Sequence, residues 1–221
     1  MKPKSIVILI SGSGSNLQAI IDAVQQKKIN AEISAVISNR PDAAGLKKAQ
    51  SAGIPAHTID HTDFPDRQSF DTELLKLVSD IKPDLVVLAG FMRILSDEFI
   101  HQYTGHLINI HPSLLPAYKG LNTHRRVLAD NGKKHGASVH FVSSELDSGS
   151  VVIQAEVPVF EDDTVELLAS RVLEEEHIIY PQAIQWFIEG KLCLTDNRAY
   201  YEQHEIKQPA KWIDNILTEP Q

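Results

Sequence analysis

The sequence predicts an α/β fold in which an open, twisted, mostly parallel sheet carries helices on both faces. Short apolar runs alternate with longer amphipathic stretches along the chain, which is the order of strands and helices in such sheets. Leu85–Gly90 is almost continuously apolar, as expected for a strand that is covered on both faces. The connections are short, and no repeat or linker divides the 221 residues.

The predicted strands are apolar runs that end in turn residues. They are Ile6–Ile10, Ile33–Ile37, Ala56–Ile59, Leu85–Gly90, Leu107–Ile110, Ala137–Val142 and Val151–Val159. Only Ser143–Ser150 connects the last two. We expect these two strands to pair antiparallel, because parallel neighbours need a long crossover.

The predicted helices have apolar residues at helical spacing between the strands. They are Leu17–Val24, a helix capped by Asp42 and ending near Ala52, Arg67–Ile81, a short helix after Ser96, Thr123–Asn131, and a helix from Thr164 to about Ile188. The alternation is Rossmann-like and predicts one domain over residues 1–221, with a nucleotide-binding half at 1–105 and a second half at 106–195. The tail, 197–221, is polar, and we assign it no role.

Composition excludes several classes of function. A net charge of −8 argues against a nucleic-acid partner, which would need clustered Lys and Arg to neutralise phosphates. The single cysteine, Cys193, permits no intrachain disulfide. The first apolar run is too short for a secretion signal, and no segment approaches a membrane span, so we expect a cytoplasmic protein without a membrane partner.

The loop Ser11–Asn16 joins the first strand to the first helix and is rich in Gly and Ser. Its N–H groups, together with the helix dipole, are suited to hold a phosphate. The dinucleotide fingerprint lacks its third glycine, because Leu17 stands there, and the Walker lysine is absent. A mononucleotide phosphate is therefore favoured over NAD or ATP. The alternative is an ordinary turn in which Ser15 caps the helix.

Asn109 and His111 end a buried strand, where open α/β sheets bind their ligands. Residues i and i+2 of a strand share a face, so an amide and an imidazole converge there to bind an oxyanion and move a proton. Asp147 follows a later strand and could favour the charged imidazolium. The alternatives are a structural histidine and a turn aspartate, and spacing alone does not place Asp147 beside His111.

Several segments in order resemble the phosphoribosylglycinamide formyltransferases of the single-domain, folate-dependent type. The matching stretches are Ile10–Gln18, Leu88–Leu95, Leu107–Pro116, His135–Val142, Glu145–Gly149 and Glu176–Pro181. The resemblance implies the formyltransferase fold and transfer of a formyl group from 10-formyltetrahydrofolate to the amine of 5-phosphoribosylglycinamide in purine biosynthesis. No covalent enzyme intermediate and no metal are needed. The histidines at 101, 106 and 111 are five apart, a spacing that forms no ligand set.

The resemblance also implies residue roles. Asn109 would hold the formyl oxygen, His111 would act as general acid and base, and Asp147 would assist His111 and orient a water molecule. The ribonucleotide phosphate would bind Gly14, Ser15 and Asn16, and Glu176 would bind its ribose. The folate would contact Arg67, Met92, Arg93, Ile94, Leu95, Ser143, Ser144, Glu145 and Leu146. A cis bond is implied at Leu115–Pro116, whereas Ser13 and Lys119 depart from some family members.

Three alternatives stay open. Formyl-methionyl-tRNA formyltransferase shares the Asn-x-His pattern but carries an added RNA-binding domain, which we do not expect here. Formyltetrahydrofolate deformylase shares the core but has a second histidine where this chain has Pro112. A nucleotide-binding module without catalysis is the third, and Asn109, His111 and Asp147 together argue against it. The missing third glycine argues against a Rossmann-type oxidoreductase. We expect a monomer or a weak homodimer.

Overall fold

The computed structural model describes residues 3–221, so that Met1 and Lys2 lie outside the described residues. The helices are α1 (Ser15–Gln25), α2 (Ala44–Ser51), α3 (Arg67–Ile81), α4 (Asp97–Gln102), α5 (Thr123–Ala129) and α6 (Val165–Ile188). The strands are β1 (Lys4–Ile10), β2 (Ala31–Ser38), β3 (Ala56–Thr58), β4 (Leu85–Leu88), β5 (Leu107–His111), β6 (Lys134–Phe141), β7 (Val151–Pro158), β8 (Leu192–Thr195), β9 (Arg198–Tyr201), β10 (His204–Glu205), β11 (Ala210–Ile213) and β12 (Ile216–Thr218). None of these helices is long and apolar enough to cross a membrane.

The chain forms two compact units, Met1–Ile108 and Asn109–Gln221. In the first unit, β1 pairs in parallel with both β2 and β4, and β2 pairs in parallel with β3. In the strand order, β5 follows β4 on the side away from β1. Ile6–Ile10 is completely buried, because the apolar run of β1 is covered on both faces as its sequence predicts.

In the second unit, the strand order is β12-β11-β7-β6-β5. β6 and β7 pair antiparallel, as the short connection predicts, whereas β11 is parallel to β7. Helix α6 packs on β6 and β7 and buries one apolar stripe that includes Leu168, Val172 and Ile179. The predicted fold class, an open and mostly parallel α/β sheet, is confirmed.

Of the three residues considered as helix caps, only one caps its helix. Asp42 does not cap α2, which begins after Ala43, and Ser15 does not cap α1, because Gly14 precedes the helix in the left-handed conformation. Thr164 does cap α6, since its side chain accepts the Leu167 N–H. The capping residue supplies an oxygen for otherwise unpaired amide groups.

The polar tail, for which the sequence predicted no element, forms several short strands. Residues 198–221 contain β9 to β12, and β11 extends the sheet beside β7. Trp212 anchors this extension, because its indole N–H donates to the Glu175 carboxylate on α6 at 2.6 Å. Strands of two to four residues are too short to show a period in the sequence.

The loop between β1 and α1 is held against α2 by a contact between two glycines. Gly14 has φ 67°, and a Cβ placed there would lie 2.7 Å from the Cα of Gly45. The Gly45 N–H also donates to the Gly12 carbonyl at 3.0 Å. A side chain at position 14 would therefore meet both backbone strain and a backbone clash.

We predict that Gly14→Ala lowers the free energy of unfolding by about 2 kcal/mol or more. Gly12→Ala is the matched control, because a Cβ at Gly12 meets nothing within 4 Å, and it should change stability by less than about 0.5 kcal/mol. Urea unfolding of both variants measures the difference. Equal stability of the two variants would contradict the close approach of Gly14 and Gly45.

Candidate active site

The end of β5 presents Asn109 and His111 from alternate positions of one strand. Leu107, Ile108 and Ile110 are buried apolar residues that fix the strand, while His111 is only 6% exposed. Asn109 is half-buried. The strand therefore holds an amide and an imidazole on one side, which is the arrangement that the two-residue spacing predicts.

Asp147 comes to this strand end from the connection between β6 and β7. Its Oδ2 atom lies 3.4 Å from His111 Nδ1, and its side chain is 7% exposed. The Gly120 N–H donates to the same oxygen at 2.9 Å. Sequence spacing could not place Asp147 beside His111, and the structure brings these two residues together.

Gly149 allows the connection to approach β6 closely enough for this contact. A Cβ at Gly149 would lie 1.8 Å from the Phe141 carbonyl oxygen, so no larger residue fits without moving the backbone. Asp147 itself has φ 48°, a left-handed conformation in which aspartate is better tolerated than most residues. The backbone of this connection thus directs the carboxylate inward.

His140 on β6 is a fourth member of the group, and sequence reasoning did not select it. Its Nε2 atom lies 3.2 Å from Asn109 Nδ2 and 3.8 Å from Asp147 Oδ1. A signal was present, since Ser138 and His140 are polar residues at alternate positions of the otherwise apolar stretch Ala137–Val142. Only the adjacency of β5 and β6 reveals that this polar face meets Asn109.

The hydrogen bonds of His140 define its tautomer. Nδ1 lies 2.8 Å from the Phe141 carbonyl oxygen, so Nδ1 carries a proton and donates it. Burial lowers the pKa of His140, although the Phe141 carbonyl and the Asp147 carboxylate oppose this effect. The ring is therefore neutral, and its free Nε2 lone pair accepts an N–H from the Asn109 amide.

His111 has a different environment from His140. Its Nε2 atom lies 3.0 Å from the Tyr118 carbonyl oxygen, and its Nδ1 atom faces Asp147. Both ring nitrogens therefore face oxygen acceptors, and the doubly protonated imidazolium would satisfy both of them. The residues around Tyr118 follow the Leu115–Pro116 bond, which is cis as the resemblance implies.

The predicted phosphate-binding residues lie together at the start of α1 in the first unit. Gly14 precedes the helix, no side chain caps it, and Asn16 is buried in its first turn. Lys48 adds a positive charge here, because its ammonium donates to the Gly14 carbonyl at 3.1 Å. Amide groups at a helix start beside an ammonium are suited to an anion.

The predicted folate-binding residues form two groups, one in each unit. In the first unit, Arg67 begins α3, Met92 and Ile94 are exposed, Leu95 is buried, and the Arg93 guanidinium lies 4.8 Å from the Phe70 ring centre. In the second unit, Ser143 to Leu146 lie in the connection that also carries Asp147. The Ser143 hydroxyl donates to the Glu145 carbonyl at 3.0 Å, and Leu146 is exposed.

Glu176, the predicted ribose ligand, lies on α6 and is buried. Within residues 3–221 no group of three or more His, Cys, Asp or Glu side chains is placed to hold a metal ion.

The comparisons with known proteins establish the family of the chain. A family model described as formyl transferase matches residues 4–184. The chain belongs to this family. It is 52% identical over 202 residues to the phosphoribosylglycinamide formyltransferase of Escherichia coli, covering 91% of this chain and 95% of that protein. It is 45% identical over 199 residues to the enzyme of that name from Haemophilus influenzae, covering 90% and 94% of the two chains.

A solved structure supports the same assignment of the fold. The phosphoribosylglycinamide formyltransferase of Coxiella burnetii superimposes with a TM-score of 0.88 at 50% identity, over 93% of this chain and 96% of that one. The family and the fold predicted from the sequence are confirmed, and the prediction of formyl transfer fits the names of these relatives.

A second pair of imidazoles lies near the site. His124 Nδ1 is 3.1 Å from His135 Nε2, and the Tyr118 ring packs edge-on against His135. Burial lowers the pKa of His135 to about 4, and the nearby His124 and His111 contribute to the same shift. In the unfolded chain this ring takes up a proton near pH 6.5, whereas the folded protein keeps it neutral until about pH 4.

We therefore predict that the folded state loses stability as the pH falls from 6.5 towards 4, because acid protonates His135 in the unfolded chain first. The loss through this one group is at most about 3.5 kcal/mol, and well above pH 6.5 the group has no effect. His135→Gln should flatten the dependence, whereas the exposed His101→Gln should not. Urea unfolding at pH 7.5, 6 and 5 measures the free energy of unfolding at each pH. The same pH dependence in the unsubstituted protein and both variants would refute the prediction.

Proposed function

We propose that the chain transfers a formyl group from 10-formyltetrahydrofolate to the amine of 5-phosphoribosylglycinamide. The observation that carries this proposal is the Asp147 carboxylate, which lies 3.4 Å from His111 and 3.8 Å from the histidine that contacts Asn109. An amide, an imidazole and a buried carboxylate in contact can stabilise an oxyanion and transfer protons, as acyl transfer to an amine needs. The names of the relatives identify the acceptor.

The reaction begins when the substrate amine attacks the formyl carbon on the folate nitrogen. Negative charge grows on the formyl oxygen, where the Asn109 N–H and protonated His111 stabilise it. Each such donor contributes about 100-fold or more to the rate. Because His140 accepts one N–H of the Asn109 amide, the other N–H is free to face this oxygen. Because the His140 ring is neutral, the Asp147 carboxylate forms a charged pair only with protonated His111.

Collapse of the tetrahedral intermediate expels the folate nitrogen, which must receive a proton, while the attacking amine must lose one. In this proposal His111 moves these protons, with Asp147 orienting its ring and a water molecule. The Tyr118 carbonyl oxygen now accepts at His111 Nε2, so we infer that the formyl oxygen takes this acceptor position when substrates bind.

The remaining predicted residues bind the two substrates. Gly14, Ser15 and Asn16 would hold the ribonucleotide phosphate, and Glu176 would hold its ribose. Arg67 and the stretches Met92–Leu95 and Ser143–Leu146 would bind the folate. Exposed apolar side chains at Met92, Ile94 and Leu146 support this assignment, because they offer surface for a flat aromatic ring system.

The decisive assay mixes the protein with 10-formyltetrahydrofolate, with and without 5-phosphoribosylglycinamide, and follows deformylated folate by absorbance. We expect turnover only when the amine acceptor is present. Turnover that does not need the acceptor would favour a hydrolase instead. The absence of turnover with both substrates would overturn the proposal.

We further predict that Asn109→Ala and His111→Ala each lower kcat by at least about 100-fold while the protein stays folded. His101→Ala is the control, since His101 is an exposed histidine on α4 and should not change kcat. Steady-state kinetics with both substrates saturating measure the effect. A His111→Ala protein with the rate of the unsubstituted chain would exclude His111 as the acid and base.

A further inference from the structure

The backbone of residues 91–96, the segment after β4, is attached at both ends to buried side chains. Near its start, the Met92 N–H donates to the Ser11 hydroxyl at 2.7 Å. At its end, the Ser96 N–H donates to the Asp71 carboxylate at 2.5 Å. Both acceptors are buried, Ser11 at 6% exposure and Asp71 at 2%. The segment is thus fixed by two hydrogen bonds to groups that cannot exchange readily with water.

Between these attachments the segment presents apolar side chains to solvent. Met92 is 70% exposed and Ile94 is 55% exposed. The fixed backbone therefore holds an apolar surface ready before any ligand arrives. Preformed surfaces bind with a smaller entropic cost than surfaces that must first be ordered.

The Asp71 carboxyl has a second oxygen and charged neighbours besides the Ser96 amide. Its second oxygen, Oδ1, is buried and accepts no hydrogen bond among the described residues. The pKa of this carboxyl is raised, because burial outweighs the opposing effects of the bonds from Ser96 and the charges of Arg67 and Arg93. Arg67 precedes Asp71 by four residues and so shares its face of α3.

The Arg93 guanidinium lies near this part of α3. Its guanidinium lies over the ring of Phe70, the residue before Asp71, at 4.8 Å, and its Nε atom is buried without a hydrogen bond in the described part of the chain. A buried carboxylate with an uncompensated oxygen is costly unless positive charges stay near it. The charges of Arg67 and Arg93 act on this carboxyl, although among the described residues neither guanidinium forms an ion pair with it.

We propose that Asp71 is a positioning residue for folate binding. It fixes the end of the 91–96 segment through Ser96 and adds a negative charge near Arg67 and Arg93, without touching the reacting atoms. The proposal rests on the proposed function, because it takes Arg67 and Met92–Leu95 as folate ligands. Loss of the carboxylate weakens folate binding and leaves the chemical step, which belongs to the other unit, unchanged.

The test compares Asp71→Ala, Asp71→Asn and the control Glu73→Gln, which removes an exposed carboxylate from the same helix. Asp71→Ala should raise the KM for 10-formyltetrahydrofolate by about tenfold or more, with kcat and the KM for the ribonucleotide within about twofold. Asp71→Asn should raise the folate KM about threefold, because its amide oxygen can still accept the Ser96 N–H but lacks the charge. Glu73→Gln should match the unsubstituted protein.

A folate KM that is unchanged in Asp71→Ala, or a kcat that falls as far as kcat/KM, would overturn the proposal. If Asp71→Ala does not fold, calorimetric binding of tetrahydrofolate to Asp71→Asn decides, and an affinity equal to that of Glu73→Gln would overturn it. If the unsubstituted protein neither turns over nor binds tetrahydrofolate, the proposed function fails and this inference fails with it. If the unsubstituted protein turns over and binds tetrahydrofolate, and Asp71→Ala has the same folate KM, only this inference fails.

Discussion

The buried carboxylate of Asp147 is the constraint on which the candidate site depends. A carboxylate that is 7% exposed must find hydrogen-bond donors or positive charge, since an unpaired buried charge costs several kcal/mol. The Gly120 N–H supplies one donor and His111 faces the same oxygen. The antiparallel pairing of β6 and β7, with the close approach of Gly149 to Phe141, brings the carboxylate to that place.

Two histidines within reach of one carboxylate take different roles because their surroundings differ. His140 lies within β6, donates to its neighbour's carbonyl and stays neutral, so it can only accept from Asn109. His111 lies at the strand end, where Asp147 and a backbone carbonyl oxygen face its two nitrogens. His140 therefore orients the Asn109 amide, whereas His111 is free to exchange protons. The two imidazoles are chemically identical, so their different roles come from their surroundings alone.

The sequence predicted the parts of the fold that local patterns determine. The apolar runs of β1 and β4 and the alternate placing of Asn109 and His111 follow from strand geometry. Asp147 joined the site only through family resemblance, and His140 was missed, because both depend on β5 and β6 being neighbours. The cap at position 42 was wrong, because Ala43 precedes α2. No strands were predicted in the tail, since its short strands are stabilised by contacts such as Trp212 with Glu175 rather than by their own pattern.

The most direct test of this account is a double-mutant cycle on kcat with His111→Gln, Asp147→Asn and the double variant. If Asp147 acts by orienting and charging His111, the two residues work as a unit. The double variant should then be about as slow as the slower single variant, as expected for coupled groups. Losses that multiply, so that the double variant is slower by the product of the two single effects, would contradict the account and would leave the contact between Asp147 and His111 a structural one.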